Sequence, residues 1–386
     1  MSRALRSKPT EPKNYQLIFE RGIDPDVEDP EQCHSHSEIP DEWPPLSEIL
    51  GFQERVRSRV TSILEREDLP HNRCLAEALW IGFEHEIMHL ETFLYMLLQS
   101  ERTLPPPAAG QPDFEKMFLD ARNKAKPNKW FTIPEQTLTI GLDDSDESAV
   151  PRASFGWDNE KPSRIVTVHA FEAQARPVTN GEYAKYMQAN KLREAPASWI
   201  LMHENEDYPI PEAVNGHSVA ATKDFMSNFA VRTVYGSVPL ELAQDWPVTA
   251  SYCELSKFAE WTGCRIPTFE EARSIYSYAA RLKKERQHNM ANGHSNGANG
   301  VANGNGYSKS SQSVYIDLEG CNVGFKHWHP TPVVQNGDKL AGQSEMGGVW
   351  EWTSTPLAPH DGFKSMDIYP GYTCKYFLCL IRSGMC

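Results

Sequence analysis

His85, Glu86 and His89 lie close together inside the run Cys74 to Gln99, CLAEALWIGFEHEIMHLETFLYMLLQ. Two histidines at i and i+4 share one helical face with Cβ atoms about 5–6 Å apart, a separation that suits two neighbouring ligands of one metal. Buried without partners, each ring would cost about 1–3 kcal/mol, so each needs a metal or a hydrogen bond from a neighbouring helix. For a pair at this spacing on so apolar a helix, metal is the stronger reading, with His85 and His89 as its ligands. The same residues spell His-Glu-x-x-His, in which a zinc peptidase uses the glutamate as general base and takes a third ligand further along. One peptidase version would have Gly and His at positions 92 and 95, where this chain has Thr92 and Tyr95. Another needs a glutamate on a following helix, but Pro105 to Pro112 intervenes and Glu115 is the nearest candidate past it. Glu86 lies about 100° round the helix from His85 and does not readily join the pair as a ligand.

The helix that carries the pair is expected to start after Asn72, its N-cap. It stops at Ser100 to Pro107, SERTLPPP, because consecutive prolines cannot continue a helix. Apolar residues on nearly every face, with Gly82 the one glycine, predict a buried helix inside a bundle. A second helix, Ser47 to Arg66, places Ile49, Phe52, Val56, Val60 and Ile63 on one stripe, with Ser47 as N-cap. Arg55, Arg57 and Arg59 alternate along it and so do not share a face. They read as solvated, with Arg55 the candidate contact for a substrate carboxylate. Residues 1–45 read as an extended segment laid over another surface, and His34 and His36 within it as solvated.

Beyond Trp130 the strands are short and the turns frequent. Leu138 to Gly141 and Arg164 to Val168 read as strands, and Asn180 to Ala189 and Ser251 to Trp261 as helices, after a short helix from Asp113 to Asn123. The fold class is α+β. Lys283 to Val314, rich in Asn, Gly and Ser, reads as a disordered insertion. A net charge of −14 argues against nucleic acid or an anionic membrane as partner. No run of eighteen apolar residues free of charge occurs, and residues 1–30 are not signal-like. Eight irregularly spaced cysteines without a CxxC do not make a disulfide framework, so a reducing, cytoplasmic setting is expected.

From Leu138 on, a series of boxes occurs in order: Ile140-Gly141, Asp158-Asn159-Glu160 with Pro162, Pro177 to Tyr183, Trp246 to Thr249, Arg265 to Glu271, and Gly347 to Thr353 with Trp350 and Trp352. In these the chain resembles the formylglycine-generating enzyme (sulfatase-modifying factor) family, which implies a C-type-lectin-like fold. No cysteine pair stands where that family's oxidases carry theirs. Joined to the His-x3-His helix, and with the wording CHSHSEIPDEWPPL, EHEIMHLETFLYMLLQS and GGVWEWTSTPLAPHDGF, the chain resembles the fungal-type ergothioneine biosynthesis proteins over about residues 8–373. These are iron-dependent sulfoxide synthases with a DinB-like bundle, and the fungal form also carries a methyltransferase domain that makes hercynine.

The resemblance implies non-haem Fe(II) held by three histidines, O2 as co-substrate, and hercynine and cysteine (or γ-glutamylcysteine) as substrates. His85 and His89 would be the second and third ligands, the first coming from an earlier bundle helix outside this chain. Met88 stands where bacterial relatives have a glutamine that contacts hercynine. Tyr369 and Tyr372 are the candidates for a catalytic acid and substrate contacts. Trp350 and Trp352 are candidate substrate contacts with at least one ring packed inward, and the segment from Trp350 to Tyr372 is expected over the metal's open side. The expected domains are a partial DinB-like bundle at 1–107, a connector at 108–129, the lectin-like domain at 130–373, and a non-family tail at 374–386. That tail, CKYFLCLIRSGMC, reads as a translated intron or mis-assigned exon end. The chain as given is expected to be an inactive, poorly stable piece of the enzyme. The rival functions are a zinc metalloprotease and a non-catalytic lectin-like binding protein.

Overall fold

A computed structural model of the chain describes residues 5, 7–19, 40–143, 155–202, 223–292 and 320–368. They belong to two compact units. The first takes Met1–Glu91, Gly141–Ser163 and Leu357–Cys386, and the second Thr92–Ile140 and Arg164–Pro356.

In the first unit, α1 (Tyr15–Ile18) packs on α2 (Leu46–Leu64) through the Tyr15 ring, edge-on to Phe52 at 5.0 Å. α2 begins directly behind Pro45 rather than after a Ser47 cap, since proline fixes the φ needed at a helix entrance. Its arginines tie the preceding segment down. Arg55 Nε donates to the Glu11 carbonyl at 3.0 Å, and Arg59 reaches the Ser7 hydroxyl at 2.6 Å. α3 (Arg73–Leu97), which belongs to this unit as far as Glu91, starts where expected, the Leu75 N–H donating to Asn72 Oδ1 at 3.2 Å. It is not buried all round. Leu75, Ala78 and Ile81 are buried, whereas Trp80, Phe83, Ile87 and Leu90 are exposed on the opposite face. Hydropathy alone predicted cover on both sides, and among the described residues only one side has it.

The second unit is α+β and builds its sheets from antiparallel pairs. β1 (Trp130–Ile133) pairs with β4 (Phe171–Gln174), and β2 (Gln136–Ile140) with β3 (Arg164–Val168). A third sheet has the order β5–β6–β7 (Trp199–Leu201, Phe229–Thr233, Gly236–Pro239). α4 (Phe114–Asn123) is capped by Asp113, whose carboxylate accepts from the Lys116 N–H at 2.9 Å. α5 (Asn180–Ala189) and α8 (Tyr252–Trp261) each start with a capping box, Thr179 with Glu182 and Ser251 with Glu254. Ser/Thr-x-x-Glu leaves this mark because two orphan N–H groups are satisfied reciprocally. Short α6 (Lys223–Met226) and α7 (Leu240–Ala243) complete a core in which Tyr183, Met187, Trp199, Phe225, Phe229, Leu240, Trp246 and Phe258 pack together.

Two expectations are corrected here. α9 runs Phe269–Asn292, so Lys283 to Asn292 is helix rather than disordered insertion. KKERQHNMAN is rich in residues that lose little rotamer freedom in a helix. The remainder of that insertion lies outside the described residues. The second correction concerns the tryptophans: Trp350 is 78% exposed and Trp352 52%, so neither ring is core. The segment is held by polar links instead. Trp352 Nε1–H donates to the Ala250 carbonyl at 3.0 Å, the Ser354 N–H donates to the Pro267 carbonyl at 2.8 Å, and the Tyr276 hydroxyl meets Glu351. Ahead of it, Gly347 and Gly348 have φ of +78° and +79°. A side chain at Gly347 would collide with Pro247, and one at Gly348 with Asn322. Among the described residues Cys74, Cys264 and Cys321 are not in disulfides and Cys253 is disulfide-bonded. No described helix is long and apolar enough to cross a membrane.

His329 is 6% exposed, stacked on Trp246 at 5.6 Å, with its Nδ1–H donating to the Pro330 carbonyl at 2.7 Å. Burial, more than the neighbouring His327, holds its pKa below the usual imidazole range. A base depressed in the fold takes its proton first in the unfolded chain. Its stabilising contribution is therefore present above about pH 6.5 and is lost as pH falls through the folded pKa. Thermal unfolding should lose midpoint on acidification over that window, and His329→Phe should flatten the loss. Equal losses in both proteins would remove His329 as the cause.

Candidate metal centre

α3 delivers the paired imidazoles because a proline-free apolar run leaves the chain no cheaper conformation than helix, and the i, i+4 spacing then stacks the two side chains. The His85 and His89 rings stand 4.5 Å apart, centroid to centroid, and 87° from coplanar. Both are half-buried. Burial first, then the charge of His89, lowers the His85 pKa, with Glu86 opposing. His85 is thus neutral near pH 7, the form in which an imidazole binds metal. Glu86 is exposed on another face of α3.

The stripe holding His85 is covered by two segments of the first unit. Trp157 is buried, its indole N–H donating to Glu84 Oε2 at 2.7 Å, and its ring centroid is 6.4 Å from that of His85. Trp157, Ile81 and Met366 form one apolar cluster, with Met88 packed against it. Lys161 pairs with Glu77 at 3.5 Å. His360 Nε2–H donates to the Lys161 carbonyl at 2.9 Å, and the Met366 N–H donates to fully buried Asp158 at 3.4 Å. Residues 77, 81, 84, 85 and 88 of α3 therefore form the face on which residues 157–161 and 366 lie. The Glu160 carboxylate folds back on the Trp157 N–H at 2.9 Å and closes the turn.

Of the residues singled out by sequence, His85 and His89 come together. Met366, in the segment expected near the metal, lies against the same helix. Trp350 and Trp352 belong to the second unit, and Arg55 is engaged with Glu11. Tyr369, Tyr372, His34 and His36 lie outside the described residues. Among the described residues no cluster of three or more His, Cys, Asp or Glu could hold a metal ion, so the donors that fit a metal here are the two imidazoles of His85 and His89. A peptidase would need a strand to hold its peptide, and the described part of the first unit contains none. Trp157 and Glu84 were missed. The signal for Glu84 was available in Glu77, Ile81, Glu84 and Met88, which repeat at spacings of four, three and four along α3.

The family model of the sulfatase-modifying factor enzyme 1-like domain matches residues 119–379. Ergothioneine biosynthesis protein 1 of Neurospora crassa is 46% identical over 98% of this chain and 47% of its own length. The protein of the same name from Schizosaccharomyces pombe is 28% identical over 98% of this chain and 44% of its own. Hercynine oxygenase of Mycolicibacterium thermoresistibile is 26% identical over 84% of this chain and 63% of its own. The chain spans about half the length of the fungal relatives it matches. Matched by that model over more than half of its length, the chain belongs to the sulfatase-modifying factor enzyme 1-like family, and over almost all of its own length it is similar to the Neurospora protein.

Proposed function

We propose that the chain is part of a cytoplasmic, non-haem iron, O2-dependent sulfoxide synthase that joins hercynine to cysteine. The carrying observation is the pair of imidazoles 4.5 Å apart on α3, in a chain whose relatives are named for ergothioneine biosynthesis and hercynine oxygenation. Atoms balance as a C–H and an S–H exchanged for a C–S bond, with one oxygen of O2 passing to sulfur and the other leaving as water. Ferrous iron, when bound, supplies open coordination positions and one-electron chemistry for O2.

The residues of the chain do the rest. His85 and His89 bind the metal, and a third ligand comes from outside the described residues. Trp157, Ile81, Met88 and Met366 cover one flank of the pair with apolar surface and keep water from it. Glu86, exposed and off the histidine face, is not the general base of a peptidase. Tyr369 and Tyr372 are assigned to proton delivery and substrate contact, and Trp350, Trp352 and Arg55 to substrate binding.

The whole enzyme of which this chain is part, purified and supplied with Fe(II), hercynine, cysteine and O2, should take up O2 only when both substrates are present, and yield the sulfoxide. His85→Ala and His89→Ala should each remove bound iron and lower turnover by at least about 100-fold, more than loss of a supporting residue costs. Zinc in place of iron together with peptide hydrolysis, or neither metal nor O2 uptake, would overturn the assignment.

A further inference from the structure

Trp157 is fixed at more points than a packing residue needs. Its main-chain N–H donates to Glu160 at 2.9 Å, its indole N–H donates to Glu84 at 2.7 Å, and it is only 9% exposed. The next residue, Asp158, is fully buried and accepts from the Met366 N–H at 3.4 Å. A hydrogen bond to a carboxylate is shorter and roughly twice as strong as one between neutral groups, so the indole plane is set by a directional contact and not by shape alone. Glu84 is the residue immediately before His85 on the rigid helix. The bond that sets the plane is therefore referenced to the same backbone that carries the imidazole.

His85 then has two ring neighbours: the His89 ring at 4.5 Å and the Trp157 ring at 6.4 Å, tilted by 41°. An imidazole on a helix has a choice of χ1 wells and a broad χ2. A fixed indole beside it removes those in which the ring swings away from His89. We propose that Trp157, anchored by Glu84, is a positioning residue that holds His85 in the orientation in which it shares a metal with His89. The inference rests on the two-histidine reading of the site. It adds a group that touches neither metal nor substrate and acts only through His85.

Co(II) serves as the probe, because its ligand-field absorption reports the geometry of bound imidazoles independently of turnover. Affinity is read by titration and geometry from the spectrum of the loaded protein. Trp157→Ala should weaken Co(II) binding about 10- to 100-fold, the range for losing a group that orients a ligand. It should also change the spectrum of what still binds. Trp157→Phe keeps a ring but loses the N–H and should fall between. Glu84→Leu should resemble Trp157→Phe, and Glu84→Gln, which keeps an oxygen acceptor, should fall between Glu84→Leu and wild type. A purely structural role would lower the melting temperature and leave the spectrum of the loaded protein unchanged. Should Trp157→Ala not fold, the Trp157→Phe and Glu84 variants decide the matter. Wild-type affinity and spectrum in those variants would overturn the positioning role and leave the two-histidine site standing. A wild type that takes up no more Co(II) than the His85→Ala/His89→Ala double variant would overturn both.

Discussion

The bond between the Trp157 indole and the Glu84 carboxylate fastens an irregular segment to a regular helix at the turn where the paired histidines stand. A helix sets the positions of two Cβ atoms but leaves the rings beyond them free to turn. What limits the rings is packing, and on α3 the packing comes from residues 157–161 and from Met366. Lys161 on Glu77, His360 on the Lys161 carbonyl and Met366 on Asp158 extend the attachment along the helix face. The Lys161–Glu77 pair is modest in itself. It is one of several fastenings on the same stripe, and their joint effect is that the segment bearing Trp157 has one place to lie.

β2 and β3 pair from Gln136 opposite Val168 to Ile140 opposite Arg164, so the two ends of the 141–163 connection leave adjacent strands at a set register. Gly141 turns the chain at φ +82°, where any side chain would strike the Glu160 carbonyl. At the other end of the sequence, the glycine pair at 347–348 and the polar links of Glu351, Trp352 and Ser354 hold the stretch that leads to residues 357–366. Within the first unit the contacts made with α3 are carried by irregular backbone, residues 157–161 and Met366.

The histidine pair, the limits of α3, α4, α5 and α8 and the strand Arg164–Val168 were legible in the sequence because their causes are local. A capping residue, a proline run or an i, i+4 repeat acts within a few positions. Trp157 on Glu84 was not legible, since it joins residues 73 positions apart and no local pattern selects Trp157 as the partner. Hydropathy likewise says what a surface prefers, and not what meets it. The face of α3 bearing Trp80, Phe83, Ile87 and Leu90 reads as core and is exposed. Trp350 and Trp352 fail for a related reason. Aromatic residues usually pack inward, but here glycine geometry and backbone bonds set the segment, and the rings point where those leave them. The extension of α9 to Asn292 shows a compositional boundary placed too early, because Asn, Gly and Ser dominate only the later part of the low-complexity run.

His85 and His89 are proposed to bind one metal side by side. Histidine-selective ¹⁵N NMR of the protein titrated with Fe(II) without oxygen tests it most directly, with resonances assigned by single His variants. Contact shifts pass only through coordination bonds, so the ring nitrogens of His85 and His89 should shift together and saturate at the same iron ratio. A titration in which other imidazoles shift while these two stay unmoved, or in which they saturate at different ratios, would contradict the account.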